Sequence, residues 1–278
     1  MGQGRTGQQV LEACPLLEIA TLGGYHVLVN NHTAQFKSKT AEELFFYLLA
    51  HPNGKQKEEI LEQLWQTEPN KESNNRFRVT VHRIRQALGH NTALLEKNNR
   101  YCLNATVLAA TDLHQLYQTL EEADHAPNKE LRLQAFGRVV ALYQGDFLPN
   151  ITATWANELR EQLRGVYVRA NLEISLLHCG TGACAKAVSA LGIALHLDPY
   201  IGENHHQKLM TCLSVVEDKY VAIEHYRRFI HFLQVELEDS PMPETLELAE
   251  RIKSGEKICS RQPMRLTANE SFSSVGLA

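Results

Sequence analysis

Between residues 73 and 89 the sequence reads SNNRFRVTVHRIRQALG, and its polar side chains are of the kinds that recognise nucleic-acid bases. Phe77, Val81, Ile84 and Leu88 recur at i, i+4, i+7 and i+11, one narrow apolar stripe of a helix. At about 100° per residue, Asn75, Arg78, Val79, His82, Arg83 and Gln86 project away from that stripe, with Arg76 and Arg85 on its flanks. Arg pairs bidentately with guanine, Asn and Gln pair with adenine, and an apolar side chain such as Val79 can touch a thymine methyl. Further on, Lys97 and Arg100 bracket Asn98-Asn99, a pair that tolerates the positive φ of a tight hairpin. Two more bases are therefore expected at a hairpin tip, within reach of a phosphate backbone or a minor groove.

A charged helix face is ordinarily just a solvated, salt-bridged surface. Here the acids are too few for that. Lys71, Arg76, Arg78, Arg83, Arg85, Lys97 and Arg100 fall within residues 71–100 against only Glu72 and Glu96. Residues 1–111 hold 12 Lys+Arg against 10 Glu and no Asp, a balance of +2, whereas the rest of the chain holds 16 against 22, a balance of −6. The net charge of −4 thus conceals a short positive segment. With Asn and Gln interleaved among the bases, double-stranded DNA is the partner this segment fits best.

The surrounding pattern supplies a frame for it. Residues 16–20 and 25–29 are short apolar or alternating runs parted by Gly23-Gly24, and Asn30-Asn31 turns the chain toward a third run at 32–36, so a small β-sheet is expected first. Thr40-Ala41-Glu42-Glu43 has the spacing of a capping box, which places a helix start at Thr40. That helix runs through Leu44, Phe45, Leu48 and Leu49 and is stopped by His51-Pro52-Asn53-Gly54. A second helix is expected from about Gln56, carrying Ile60, Leu61, Leu64 and Trp65, followed by a loop over 66–71, the basic helix capped by Gly89, and a hairpin of 93–96 with 101–104. Trp65 reads foremost as the end of an apolar stripe, with anchoring of the following loop as the alternative.

Residues 112–253 read as helices throughout: 113–120, 131–142, 155–177 ended by Gly180 and Gly182, 183–197 closed by Asp198-Pro199, 202–213, 218–237 and 244–252. ALGIALHLDPY and VAIEHYRRF are similar to tetratricopeptide units, which stack helix hairpins into an interaction surface. The fold class expected is mainly α, with an N-terminal winged helix-turn-helix, small sheet and wing hairpin, followed by an all-α tetratricopeptide-like domain. Its domains are expected at 16–111 and 112–253, between a flexible N-terminus (1–15) and a disordered tail (254–278).

TAEELFFYLLAHPNG, EEILEQLW, NNRFRVTVHRIRQALG and NNRYCLN together resemble the OmpR/PhoB-type winged helix of the Streptomyces antibiotic regulatory protein (SARP) family. In that family an all-helical bacterial transcriptional activator domain follows directly. Thr111-Asp112-Leu113-His114-Gln115-Leu116 resembles the opening of that domain, and ALYQGDFLPN, residues 141–150, resembles its connector. The resemblance spans about residues 16–253. It implies direct-repeat DNA, two protomers in tandem, and contact with RNA polymerase, including its sigma factor region. The parts it implies for that contact are the helical domain and the loop between the second and third helices, where Trp65, Glu68 and Lys71 are candidate partner-binding residues.

Other chemistries lack their residues. There is no G-x-x-x-x-G-K-[ST], no G-x-S-x-G, and no G-x-G-x-x-G after a strand, so no catalytic residue and no cofactor are expected. His178, Cys179, Cys184, His205, His206 and Cys212 are close in sequence but contain no C-x-x-C pair, and no metal site is expected. The six cysteines, Cys14, Cys102, Cys179, Cys184, Cys212 and Cys259, are expected as free thiols. No run approaches the roughly 18 apolar residues of a membrane span and nothing reads as a secretory signal, so a cytoplasmic protein is expected. The reading is a sequence-specific transcriptional activator. Its rival is a tetratricopeptide-like scaffold for another regulator or a peptide, with the winged helix as a protein-interaction module.

Overall fold

The computed structural model describes residues 15–259; nearly all of the expected flexible N-terminus, most of the expected disordered tail, and Cys14 lie outside the described residues. The chain divides into two compact units, Met1–Tyr167 and Val168–Ala278.

The first unit opens with an antiparallel sheet of β1 (Leu17–Ala20), β2 (His26–Val29) and β3 (His32–Thr33), in that order. Asn30 and Asn31, at φ 51° and 63°, make the β2–β3 turn. The expected third run is shorter than 32–36. Only His32 and Thr33 pair, because Phe36 leaves the sheet to pack its ring 5.3 Å from that of Phe45.

α1 (Lys39–Ala50) is buried on almost every side, through Ala41, Leu44, Phe45, Phe46, Tyr47, Leu48 and Leu49. Its cap is Ser38, not Thr40. Ser38 is extended and its Oγ accepts from the Ala41 amide at 3.3 Å, which already satisfies one of the free donors of the first turn, so the Thr40–Glu43 box does not form. β4 (Lys55–Gln56) leads into α2 (Lys57–Trp65), with the Glu59 carboxylate accepting from the Gln56 amide at 2.7 Å.

α3 (Lys71–Ala87) begins earlier than the apolar stripe alone indicates. Asn70 Oδ1 accepts from the Glu72 and Ser73 amides at 2.9 Å each, while Ser73 Oγ accepts from the Asn70 amide at 2.8 Å. Lys71 and Glu72 therefore belong to the first turn of α3, and the expected loop is shorter at its end. Gly89, at φ 63°, follows the helix as expected of a C-terminal glycine. The hairpin of β5 (Leu94–Lys97) and β6 (Arg100–Leu103) closes on Asn98-Asn99 at φ 51° and 62°, and β4 adds to its far edge to give the order β4-β6-β5. That third strand escapes a reading by pattern because it is two residues long.

A short helix α4 (Ala105–Ala109), also unanticipated, precedes α5 (Asp112–Asp124) and α6 (Lys129–Leu142). Asp112 sits at the start of α5 yet reaches back to the first sheet. Its carboxylate accepts from the Thr21 amide (2.7 Å), the Thr21 hydroxyl (2.7 Å) and the Leu22 amide (2.9 Å). The 141–150 connector packs against the same hairpin: the Gly23 amide donates to Asp146 O and the Leu148 amide to Thr21 O. Gly23 and Gly145 meet back to back. A Cβ on Gly23 would lie 2.6 Å from Gln144 O, and one on Gly145 would lie 2.9 Å from Gly23 Cα, both at positive φ. The Gly-Gly read as a hairpin marker is thus also a close-approach site.

After a 3₁₀ turn (Thr154–Ala156), Trp155 sets its ring edge-on to Tyr47 of α1 at 5.5 Å. α7 (Asn157–Gly180) then begins. Its Arg160 holds the connector, donating to Phe147 O at 2.8 Å, Leu148 O at 2.7 Å and Ile151 O.

The second unit contains the end of α7, α8 (Cys184–Leu197), α9 (Glu203–Val216), α10 (Lys219–Glu236) and α11 (Pro243–Lys253). Successive helices pack as pairs. Leu191, Leu195 and Leu209 close one core, and Met210, Ala222, Ile223, Ala249 and Ile252 another, against which Ile258 also packs. The architecture is mainly helical, with small antiparallel sheets near the N-terminus and helical hairpins after them.

Candidate nucleic-acid interface

The third helix of a winged helix can read DNA only if its outer face is free, and α3 divides cleanly. Phe77, Thr80, Val81 and Ile84 are buried, whereas Asn75, Arg76, Arg78, Val79, His82 and Gln86 are exposed and Arg83 is half-buried. Val79 is 39 % exposed, an apolar side chain left in water among cations. Among the described residues Arg78 makes one hydrogen bond, an Nη2 donor 3.5 Å from Asn75 Oδ1 on the preceding turn. For His82 and Arg83 no hydrogen bond or ion pair forms among the described residues.

The flanking arginines differ. Arg85 donates from Nε and Nη2 to Leu94 O at 3.2 and 2.7 Å, tying α3 to the base of the wing. Arg76 lays its guanidinium over the Trp65 indole, 4.4 Å from the ring centroid, and the Trp65 and Phe77 rings stand 6.1 Å apart. Trp65 is half-buried and braces α2 against α3, in keeping with a packing role at the end of its stripe. Glu68 and Lys71 are exposed on the approach to α3, and Glu68 contributes its backbone carbonyl to the Ser73 hydroxyl at 3.0 Å.

At the wing, Lys97 is exposed beside the turn. Arg100 lies across from it in register but turns inward, donating to Gly54 O from Nε at 3.1 Å and from Nη2 at 2.9 Å. Its guanidinium holds the β4 strand to the wing, so among the described residues Lys97 is left unpaired at the wing and Arg100 shapes it. Tyr101 hydroxyl donates to Glu96 Oε2 at 2.9 Å; burial and then that carboxylate push the phenol up to about 12.

A shallow open groove runs between the start of α1 and α3, lined by Thr40, Glu72, Asn75, Arg76, Val79, Thr80 and Arg83. Beside it, burial holds the Glu43 carboxyl above its ordinary range, with the Arg76 charge pulling the other way. Lys37, from the β3–α1 connection, donates to Gln86 Oε1 at 3.4 Å at the far end of the same face. Lys37 was not among the residues singled out from sequence, and Thr40 was read there only as a helix cap.

In the second unit, His206 lies between two partners. Its Nε2 is 3.1 Å from Pro199 O and its Nδ1 is 3.2 Å from His225 Nε2, with the Phe229 ring stacked at 3.9 Å. The carbonyl requires a proton on Nε2, so Nδ1 accepts from His225. The five described cysteines are free; burial first, and the neighbouring Cys179 thiol next, push Cys212 up to about 11. Among the described residues no three His, Cys, Asp or Glu side chains converge as metal ligands. Among them also, no helix is long and apolar enough to cross a membrane.

A winged helix with an unpaired cationic outer face, continued by helical hairpins, is the architecture of a transcriptional regulator. Residues 111–253, just over half of the 278-residue chain, match the bacterial transcriptional activator domain, and the chain belongs to that family. It is a regulator of the SARP type. The fold is similar to that of a solved structure of Mycobacterium tuberculosis EmbR in complex with a low affinity phosphopeptide. The TM-score is 0.71 at 17 % identity, over 89 % of this chain and 67 % of that one. Comparison with curated protein sequences gives no match.

Proposed function

We propose that this regulator is a cytoplasmic, non-enzymatic transcriptional activator that binds promoter DNA through α3 and the wing, and that residues 16–111 and 112–253 are its DNA-binding and activator domains. The carrying observation is the row Asn75, Arg78, Val79, His82, Arg83 and Gln86, which the fold leaves outward and almost without internal partners. In this assignment the row enters the major groove, Arg76 and Lys97 meet phosphates, and Arg100 serves the wing's shape. Two protomers sit in tandem on direct repeats. RNA polymerase, at its sigma factor region, is touched by Glu68, Lys71 and the helical domain, with Trp65 as the brace behind them.

Gel shifts with promoter fragments over a salt series test the DNA reading. Each neutralised phosphate contributes about 0.9 to the slope of log affinity against log salt. A steep slope with sequence-dependent affinity is expected; flat, weak binding would remove it. Pairing a footprint with run-off transcription tests activation: Glu68→Lys or Lys71→Glu should lower transcription at unchanged occupancy.

The scaffold reading retains one observation of its own. Tyr220 and Tyr200 of the second unit are 73 % and 61 % exposed, and tyrosine is enriched where proteins meet. Retention of a defined protein partner by a chain that binds no promoter fragment would favour it.

A further inference from the structure

We infer that Lys37 is a positioning residue for Gln86 and turns it from a reader of adenine into a reader of guanine. The inference rests on the DNA-binding reading above and deepens it.

Lys37 is exposed, but its backbone is held on both sides. The Phe36 ring packs against the buried Phe45 at 5.3 Å, and Ser38 caps α1 through the Ala41 amide. From that fixed point the side chain crosses 49 positions of sequence to the last turn of α3, where Nζ donates to Gln86 Oε1 at 3.4 Å. Among the described residues Lys37 makes no ion pair, so no acid competes for the ammonium.

A free Gln amide reads adenine bidentately: its oxygen accepts from N6–H and its nitrogen donates to N7. In Gln86 one of the two lone pairs of the oxygen already accepts from the Lys37 ammonium, which sets a cation with two further N–H donors beside the other. What the amide then offers forward is its NH₂ group, beside the remaining N–H bonds of Lys37, which carries three donors and no acceptor. An all-donor edge matches guanine, whose O6 and N7 are both acceptors, and meets adenine N6–H as donor against donor. Lys37 also adds positive charge beside the pair, which favours the stronger acceptor field of guanine. A surface lysine that merely touched a phosphate would do neither, because its contact carries no sequence information.

The experiment selects from a randomised duplex pool with the full chain, comparing wild type, Lys37→Met, Gln86→Ala and the double variant. At one position of the wild-type motif guanine should be preferred about tenfold, the size of one bidentate base contact. Lys37→Met keeps the length of the side chain without its charge and should shift that position toward adenine while the rest of the motif stands. Gln86→Ala should flatten the position, and Lys37→Met on top of it should change the preference no further. A Lys37→Met motif identical to wild type would overturn the inference, including the case where affinity falls equally for all sequences and the salt slope drops by about 0.9, which marks a phosphate contact. A wild-type chain that enriches no motif at all would instead remove the DNA reading, and this pair with it.

Discussion

The outer face of α3 and the 141–150 connector, taken with the start of α7 that holds it, both carry charge, and they treat it oppositely. In the connector and the first turns of α7, Asp146, Arg160 and Arg164 are all engaged by internal partners. Arg160 serves three backbone carbonyls, and Arg164 pairs with Asp146 at 2.7 Å. Tyr143 hydroxyl donates to Asp146 at 2.9 Å, its phenol pushed up to about 12 by burial and by that bond. Asp112 completes the closure on the Thr21–Leu22 backbone. On the outer face of α3, His82 and Arg83 form no hydrogen bond or ion pair among the described residues, and Arg78 reaches only Asn75. Polar groups with internal partners build structure, because removing one leaves its partner desolvated and unpaired. Polar groups held out without partners keep their hydrogen-bonding capacity for a ligand. Arg85 and Arg100 show that residue type does not decide: both lie in the basic segment, and both belong with the connector in behaviour.

Among the engaged groups the largest effect is expected at Asp112. Asp112→Ala strands the Thr21 and Leu22 amides, and a loss of about 3 kcal/mol is expected, since each stranded buried donor costs about 1–3 kcal/mol. Urea unfolding checks it, and a change within 0.5 kcal/mol would make the clamp decorative.

The histidine pair of the second unit, His206 buried and His225 half-buried, extends the closed class to a titratable case. Burial, with His206 and Arg228 adding to it, holds His225 down at about 4, against about 6.5 in an unfolded chain. Because the folded value is the lower one, its contribution is complete above about pH 6.5 and is lost as pH falls toward 4, by about 2 kcal/mol. Unfolding midpoints at pH 7.5 and 4.5 should therefore converge in His225→Phe relative to wild type.

The open class is sharpened by Arg78→Ala. It should lower specific promoter affinity by about 1.5 kcal/mol, chiefly at one base position, and leave thermal stability unmoved. Loss of stability without loss of affinity would place Arg78 among the closed groups. The smallest effects separate the two wing bases. Arg100→Ala should cost about 1 kcal/mol of stability by freeing the Gly54 carbonyl. Lys97→Ala should leave stability alone and reduce the salt slope of DNA binding by about 0.9.

Much of this was legible in the chain because it rests on local periodicity. The stripe of Phe77, Val81, Ile84 and Leu88 is buried as the spacing predicts, with Val81 the most exposed of them at 6 %. Asn98-Asn99 and Asn30-Asn31 take the positive φ their types permit. What escaped depends on partners distant in sequence. The Ser38 cap superseded Thr40 because the extended approach to α1 is set by Phe36 docking on Phe45, and β4 exists only because β6 lies beside it.

By itself, then, the amino-acid order determined which face of α3 is apolar and which is cationic, where the turns fall, and that helices follow the wing; each depends on neighbours within a few residues. Tertiary structure alone decided which bases remain available. Arg78 and Arg83 stay outward while Arg85 and Arg100 fold onto the Leu94 and Gly54 carbonyls, 9 and 46 positions away. A guanidinium has the same chemistry in all four places, and only the carbonyl brought within its reach makes the difference.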